Sequence, residues 1–139
     1  MAEAKITDKL TLDLVTPISV AFSKPVTMAV VPGADGVMGI LAHHAPIIST
    51  LKAGVVEIYD GNNITDQIFI TGGFVEVTGD RCTVLAEEAI DLSKFERSTA
   101  EARLEKAKKA FDKAANDHDK AREEKNVQVA EALLAAVRH

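Results

Sequence analysis

One cysteine stands among the 139 residues, Cys82, so no internal disulfide can form. A reducing compartment fits that composition. Beside Val84 in a strand-like run, Cys82 reads as a small buried apolar residue. No apolar run approaches the ~20 residues that span a bilayer as a helix. No apolar core follows Lys5 and Lys9 of the kind an export signal needs, so neither insertion nor export is expected. The short patterns that carry chemistry are missing too. There is no G-x-x-x-x-G-K-[ST] phosphate loop, no H-E-x-x-H or H-x-H, no nucleophile elbow and no cysteine–histidine arrangement. Glu87-Glu88 is an adjacent carboxylate pair, but neighbours in an extended strand point to opposite faces. The same geometry keeps His43 and His44 off a single ion. The chain reads as non-catalytic, with no metal and no cofactor.

Charge is divided unevenly. Residues 1–95 carry 6 Lys/Arg against 12 Asp/Glu, and residues 96–139 carry 10 against 9. An acidic first part argues against nucleic acid as a partner. The tail is dense in both signs, which is the pattern of a solvated helix face.

Two periods divide the chain. Leu10, Leu12 and Leu14 sit two apart, as do Val56 and Ile58, Ile68 and Ile70, and Val75 and Val77. That is the strand period, with one face buried. Turn residues interrupt it at Thr16-Pro17, Pro32-Gly33, Lys52-Ala-Gly54, Asp60-Gly-Asn-Asn63 and Thr78-Gly-Asp80. Residues 1–89 are therefore predicted to be an all-β sandwich of about ten strands. Roughly 90 residues can bury about 60–65% of the unfolded surface, enough to fold independently.

Residues 90–139 are predicted to be an antiparallel helical hairpin. Ser93-Lys-Phe-Glu96 has the form of a capping box. Leu104, Ala107, Phe111 and Ala114 follow on one helix face. Asn116-Asp-His-Asp119 breaks the pattern, and a second helix is predicted from about Lys120, with Val127, Ala130, Leu134 and Val137 inward. Neither helix contains Pro or Gly. The seam is mostly alanine, which favours helix but buries little area.

The most informative segment is Gly33-Ala-Asp-Gly-Val-Met-Gly-Ile-Leu-Ala-His-His-Ala-Pro46, followed by Leu51-Lys-Ala-Gly54. Glycines every third residue permit tight turns and oppose helix. Gly33-Ala-Asp-Gly36 reads as a turn between strands rather than a phosphate cradle, since no helix pattern follows it. The order G-x-x-G-x-x-G-I-L-x-x-H-A-P, then L-x-x-G, resembles the epsilon subunits of rotary ATP synthases. Thr71-Gly-Gly-Phe-Val-Glu-Val77 and Cys82-Thr-Val-Leu-Ala-Glu-Glu-Ala89 match two further stretches of that family at the expected distance. The resemblance covers nearly the whole chain and extends to the mitochondrial delta subunit.

The resemblance implies a sandwich at the foot of a central stalk, packed on the gamma subunit and touching the loops of the c-ring. It implies that Asp35, Val37, Met38 and His43 form the c-ring contact. Val37 and Met38 either stand at the turn tip or, for Met38, fold inward. The tail would contact the gamma subunit and the alpha–beta catalytic ring, and restrain ATP hydrolysis when extended. Its candidate beta-subunit contacts are Arg103, Lys106, Lys108, Lys109, Lys113, Arg122 and Lys125. ATP-sensing members carry [IL]-D-x-x-R-A, where this chain has Phe95-Glu-Arg-Ser-Thr-Ala100. Thr99 replaces the guanidinium, so tight ATP binding and strong inhibition are not expected. The implied location is peripheral, on the cytoplasmic face of a bacterial inner membrane. The alternative from another class is a stand-alone sandwich that binds a small ligand.

Overall fold

In the computed structural model, residues 8–137 are described, and they form two compact units, one ending at Asp91 and one beginning at Leu92. The first unit contains ten strands: β1 (Leu10–Thr16), β2 (Ser19–Val26), β3 (Met28–Gly33), β4 (Gly36–Leu41), β5 (Ile47–Leu51), β6 (Gly54–Asp60), β7 (Asn63–Ile70), β8 (Gly73–Thr78), β9 (Arg81–Ala86) and β10 (Ala89–Asp91). Ile90 and Asp91 thus belong to a strand, paired with β7.

The strands follow the order β10-β7-β6-β3-β5-β8-β9-β1-β2, with β4 added on β3. All neighbours are antiparallel except β1 and β9, which run parallel with Leu12 opposite Cys82. Strand β3 changes partners along its length. Met28, Ala29 and Val30 pair with β6, and Gly33 pairs with Leu51 of β5. This handover joins the two layers, as strand switches do at sandwich corners.

The period-two pattern explains the interior. Leu10, Leu12, Leu14, Val56, Ile58, Ile70, Val75 and Val77 are all at most 2% exposed and share one core with Val31, Ile40 and Val84. Fully burying each such aliphatic side chain is worth about 1.5–3 kcal/mol. Cys82 lies in this core, and burial, with a smaller contribution from Asp13, pushes its thiol up to about 12. It therefore packs as a thiol rather than reacting as a thiolate.

Glycine is required where backbones meet. At Gly73, φ is +150° and an added Cβ would lie 1.9 Å from the Leu85 carbonyl oxygen. At the β6–β7 turn, Gly61 has φ +63° but faces open space. Its amide donates to the Thr27 hydroxyl, one of two buried polar side chains among the described residues.

Segments far apart in the strand order are joined by side chains. Lys24 of β2 donates to Asp66 of β7 at 2.5 Å, and Lys9 pairs with Asp60. The Lys24 hydrogen bond holds the Asp66 carboxyl below its ordinary 3.8, and that of Lys9 does the same for Asp60.

The second unit opens with a short 3₁₀ turn, Leu92–Lys94, then α1 (Arg97–Lys113) and α2 (Asp117–Ala136). The predicted capping box does not start the helix. Ser93 lies inside the 3₁₀ turn, and Glu96 holds the cap position without a side-chain cap bond. The first helix therefore begins a turn later than Ser93. The second begins three residues earlier than predicted, because the Asn116 side chain accepts the Asp119 amide at 2.8 Å. Asparagine at that position satisfies a free helix-end donor.

The inward faces match prediction in part. Ala107, Ala130 and Val137 are buried as expected, together with Ala100, Val129 and Leu133, whereas Leu104, Phe111, Ala114, Val127 and Leu134 are half-buried. Apolar residues at 127, 129, 130, 133 and 134 cover more than one face of α2, so spacing alone cannot choose among them. The hairpin is clasped at both ends. Lys120 lies 4.9 Å over the Phe111 ring, and Arg97 donates to the Val137 carbonyl at 3.2 Å.

Two outcomes are expected. Gly73→Ala should destabilise the chain by more than about 3 kcal/mol and Gly61→Ala by about 1 kcal/mol, read from urea denaturation midpoints. Asp66 binds its proton more weakly folded than unfolded. Its contribution is thus complete above the ordinary carboxylate range and lost as pH falls through the lowered folded value. Stability measured from neutral pH downward should fall less steeply in Asp66→Asn than in the parent chain.

Candidate functional site

The glycine segment folds as a tight hairpin. Gly33 of β3 sits opposite Gly36 of β4, leaving Ala34 and Asp35 as a two-residue turn. A Cβ on Gly33 would lie 2.5 Å from the Gly36 carbonyl oxygen, and Gly36 itself has φ +144°. The turn is pinned from one side: the Ala34 amide donates to Thr50 and the Lys52 amide to Pro32, both at 2.9 Å. Asp35 is exposed at the tip, and Val37 is 72% exposed. Met38 points the other way, half-buried against the core. Of the two apolar residues that could stand at the tip, only Val37 does so.

His43 is not part of this tip. The whole of β4, roughly 20 Å of strand at 3.3 Å per residue, separates it from Asp35. It lies in the link between β4 and β5 with φ 66°, and its amide donates to Asp80 at 3.1 Å. Its ring nitrogens lie 3.3 Å from Asp8 and 3.3 Å from Asp80. His44 follows in the same link, its Nδ1 2.7 Å from the Ala45 carbonyl. The two histidines are therefore turn residues, not strand neighbours. Among the described residues no group of three or more His, Cys, Asp or Glu side chains could hold a metal ion.

The seven basic candidates of the tail are dispersed. Lys106, Lys109 and Lys113 share one face of α1 with Ala102, Ala110 and the acid Glu105. Lys108 opens onto a different groove, beside Phe111, Asp112 and Glu124. Arg122 is engaged by Asp119 and Glu123 at 3.5 and 3.3 Å. Arg103 is half-buried, and Lys125 is exposed on α2.

A surface that the sequence reading passed over lies on the outer side of β5, β8 and β9. Ile48 is 73% exposed, Phe74 54% and Leu85 46%. Phe74 pairs directly with Thr50 and Leu85, and Leu85 with Val15 of β1. Opposite side chains on one sheet face stand about 5 Å apart, so Phe74, Leu85 and Val15 make an apolar row, with Ile48, opposite Glu76, on the diagonal from Phe74. The sequence does contain the signal. Val75 and Val77 point inward, which turns Phe74 outward with Glu76, and an outward Phe breaks the polar alternation.

Residues 9–92 match the family model described as the ATP synthase delta/epsilon chain beta-sandwich domain. An ATP synthase epsilon chain of Paramagnetospirillum magneticum is 47% identical over 130 residues, covering 94% of this chain and 98% of that one. One from Rhodospirillum rubrum is 46% identical, covering 89% and 92%. In fold, the chain resembles a chain of the Euglena gracilis mitochondrial ATP synthase, with TM-score 0.78, 24% identity, and coverage of 99% of this chain and 90% of that one. The chain belongs to the delta/epsilon family of ATP synthase subunits.

Proposed function

We propose that this chain is a non-catalytic central-stalk subunit of a rotary ATP synthase, joining the gamma shaft to the c-ring during proton-driven ATP synthesis. The observation that carries the reading is the outer apolar band of Ile48, Phe74 and Leu85 on a strand-paired layer. Apolar area covered by a partner gains about 25 cal/mol per Å², and a contiguous exposed patch of this kind marks a partner surface. The gamma subunit is the occupant that family membership supports. Torque transfer needs stiffness, and a close-packed interior resists deformation.

The turn at Ala34 and Asp35 is the contact for the c-ring loops, through Asp35 and Val37 with Met38 bracing the strand from inside. His43 drops out of that contact because β4 carries it to the other end of the layer. On the tail, Lys106, Lys109 and Lys113 form the one basic row able to face acidic segments of the catalytic ring, at ~0–1 kcal/mol for each exposed pair. Thr99 stands where ATP-sensing members place a guanidinium, and Arg97 is occupied with the Val137 carbonyl. Tight ATP binding and strong inhibition of hydrolysis do not follow from such an arrangement. No described helix is long and apolar enough to cross a membrane. Peripheral attachment at the cytoplasmic face of a bacterial inner membrane completes the reading.

Phe74→Asp should weaken capture of the gamma subunit by the full chain at least about thirtyfold, as loss of an anchor worth ~2 kcal/mol or more requires. Unchanged capture would sink the proposal. Removing residues 92–139 from the assembled membrane enzyme should raise ATP hydrolysis by less than about fivefold, the low end of ordinary coupling.

A further inference from the structure

One carboxylate lies within the apolar band and, among the described residues, has no partner. Glu76 is exposed in the middle of β8, with Ile48 of β5 opposite it on one side and Thr83 of β9 on the other. Phe74 and Thr78 flank it along its own strand on the same face. Among the described residues no hydrogen bond or ion pair reaches its carboxylate.

The neighbouring acid is arranged differently. Asp13, opposite Thr83 on β1, receives the Arg81 guanidinium at 2.5 Å and the Ser23 hydroxyl at 2.5 Å. Arg81, opposite Thr78 and Thr11, is the cation of this outer face, and Asp13 already engages it. The face therefore presents one compensated carboxylate at its rim and one uncompensated carboxylate among Ile48 and Phe74.

An unpaired carboxylate is inexpensive while water reaches it. Covered by a partner, it becomes a buried charge and opposes binding unless a cation arrives with the partner. We infer that Glu76 is the ionic anchor of this face, accepting a Lys or Arg that the gamma subunit presents beside apolar residues filling the space around Phe74 and Leu85. Arginine fits best, because its planar head can meet the carboxylate in two hydrogen bonds and lie against the adjacent Phe74 ring. The inference rests on the reading of this band as the gamma-facing surface. It adds the partner's chemistry: an apolar ridge interrupted by one basic side chain. A partner with an acid at that position is repelled, so the same group sets orientation as well as affinity.

The test uses the full-length chain and the gamma subunit of its own complex, with dissociation constants measured at low and high salt. Glu76→Gln should bind about tenfold more weakly, and Glu76→Lys about a hundredfold or more, with binding by the parent chain falling more steeply with salt than that of Glu76→Gln. The glutamine variant is isosteric and exposed, so its thermal midpoint should match the parent's. Parent-like affinity in Glu76→Lys together with lost binding in Phe74→Asp refutes the anchor and leaves the face intact. Parent-like binding in Phe74→Asp removes both. Equal salt dependence in the parent chain and Glu76→Gln also overturns the anchor.

Discussion

Strand β3 serves two layers, and the space above Gly33 decides whether it can. Its first three residues pair with β6, while Gly33 pairs with β5 and at the same time closes the turn into β4. Any side chain there would collide with the Gly36 carbonyl, 2.5 Å from where its Cβ would stand. The handover brings the inward faces of the two layers over one another, and only then can Val31, Ile40 and Leu51 meet the rows from β1, β8 and β9. The turn that exposes Asp35 and Val37 is thus a by-product of the corner that assembles the core. Contact surface and core share the same backbone constraint.

That constraint also bears on how the molecule works. A strand order anchored through one shared strand, with Lys24–Asp66 tying β2 to β7, leaves the outer side of β5–β8–β9 supported by paired strands. Apolar side chains on such a layer are held by the ladder beneath them, so little ordering is needed when a partner covers them. The helical unit is built on the opposite principle. Its seam includes Ala100, Ala107 and Ala130 and is clasped at the ends by Lys120 on Phe111 and Arg97 on Val137. Small side chains let helices sit close but contribute little area, so the stability of the hairpin depends heavily on its ends.

Much of the first unit was legible because the period of two is unambiguous when leucines and valines alternate with polar residues. The glycine turn was legible for a similar reason: glycine on both sides of Ala34-Asp35 permits a tight reversal that residues with a Cβ resist. The tail was less so. Residues 127, 129, 130, 133 and 134 of α2 give no single stripe, and a serine followed three residues later by glutamate has the pattern of a cap although the helix starts after it. The resemblance puts His43 in one contact with Asp35, whereas β4 lies between them and separates the two along its length. The outer band was the real omission. Phe74 and Leu85 each stand one residue out of phase with a buried valine, and that signal appears only after the inward face has been fixed.

The parallel pairing of β1 with β9 has a consequence for biosynthesis. Leu12 finds its neighbour Cys82 some seventy positions later in the chain, so the first strand made cannot be seated until nearly the whole layer has left the ribosome. Until then its leucines and the future core face of β8 remain uncovered, as non-local pairing generally entails. A truncated product that stopped before β9 would lack the strand that locks the beginning to the end, and cellular proteases would meet an open sheet rather than a finished part.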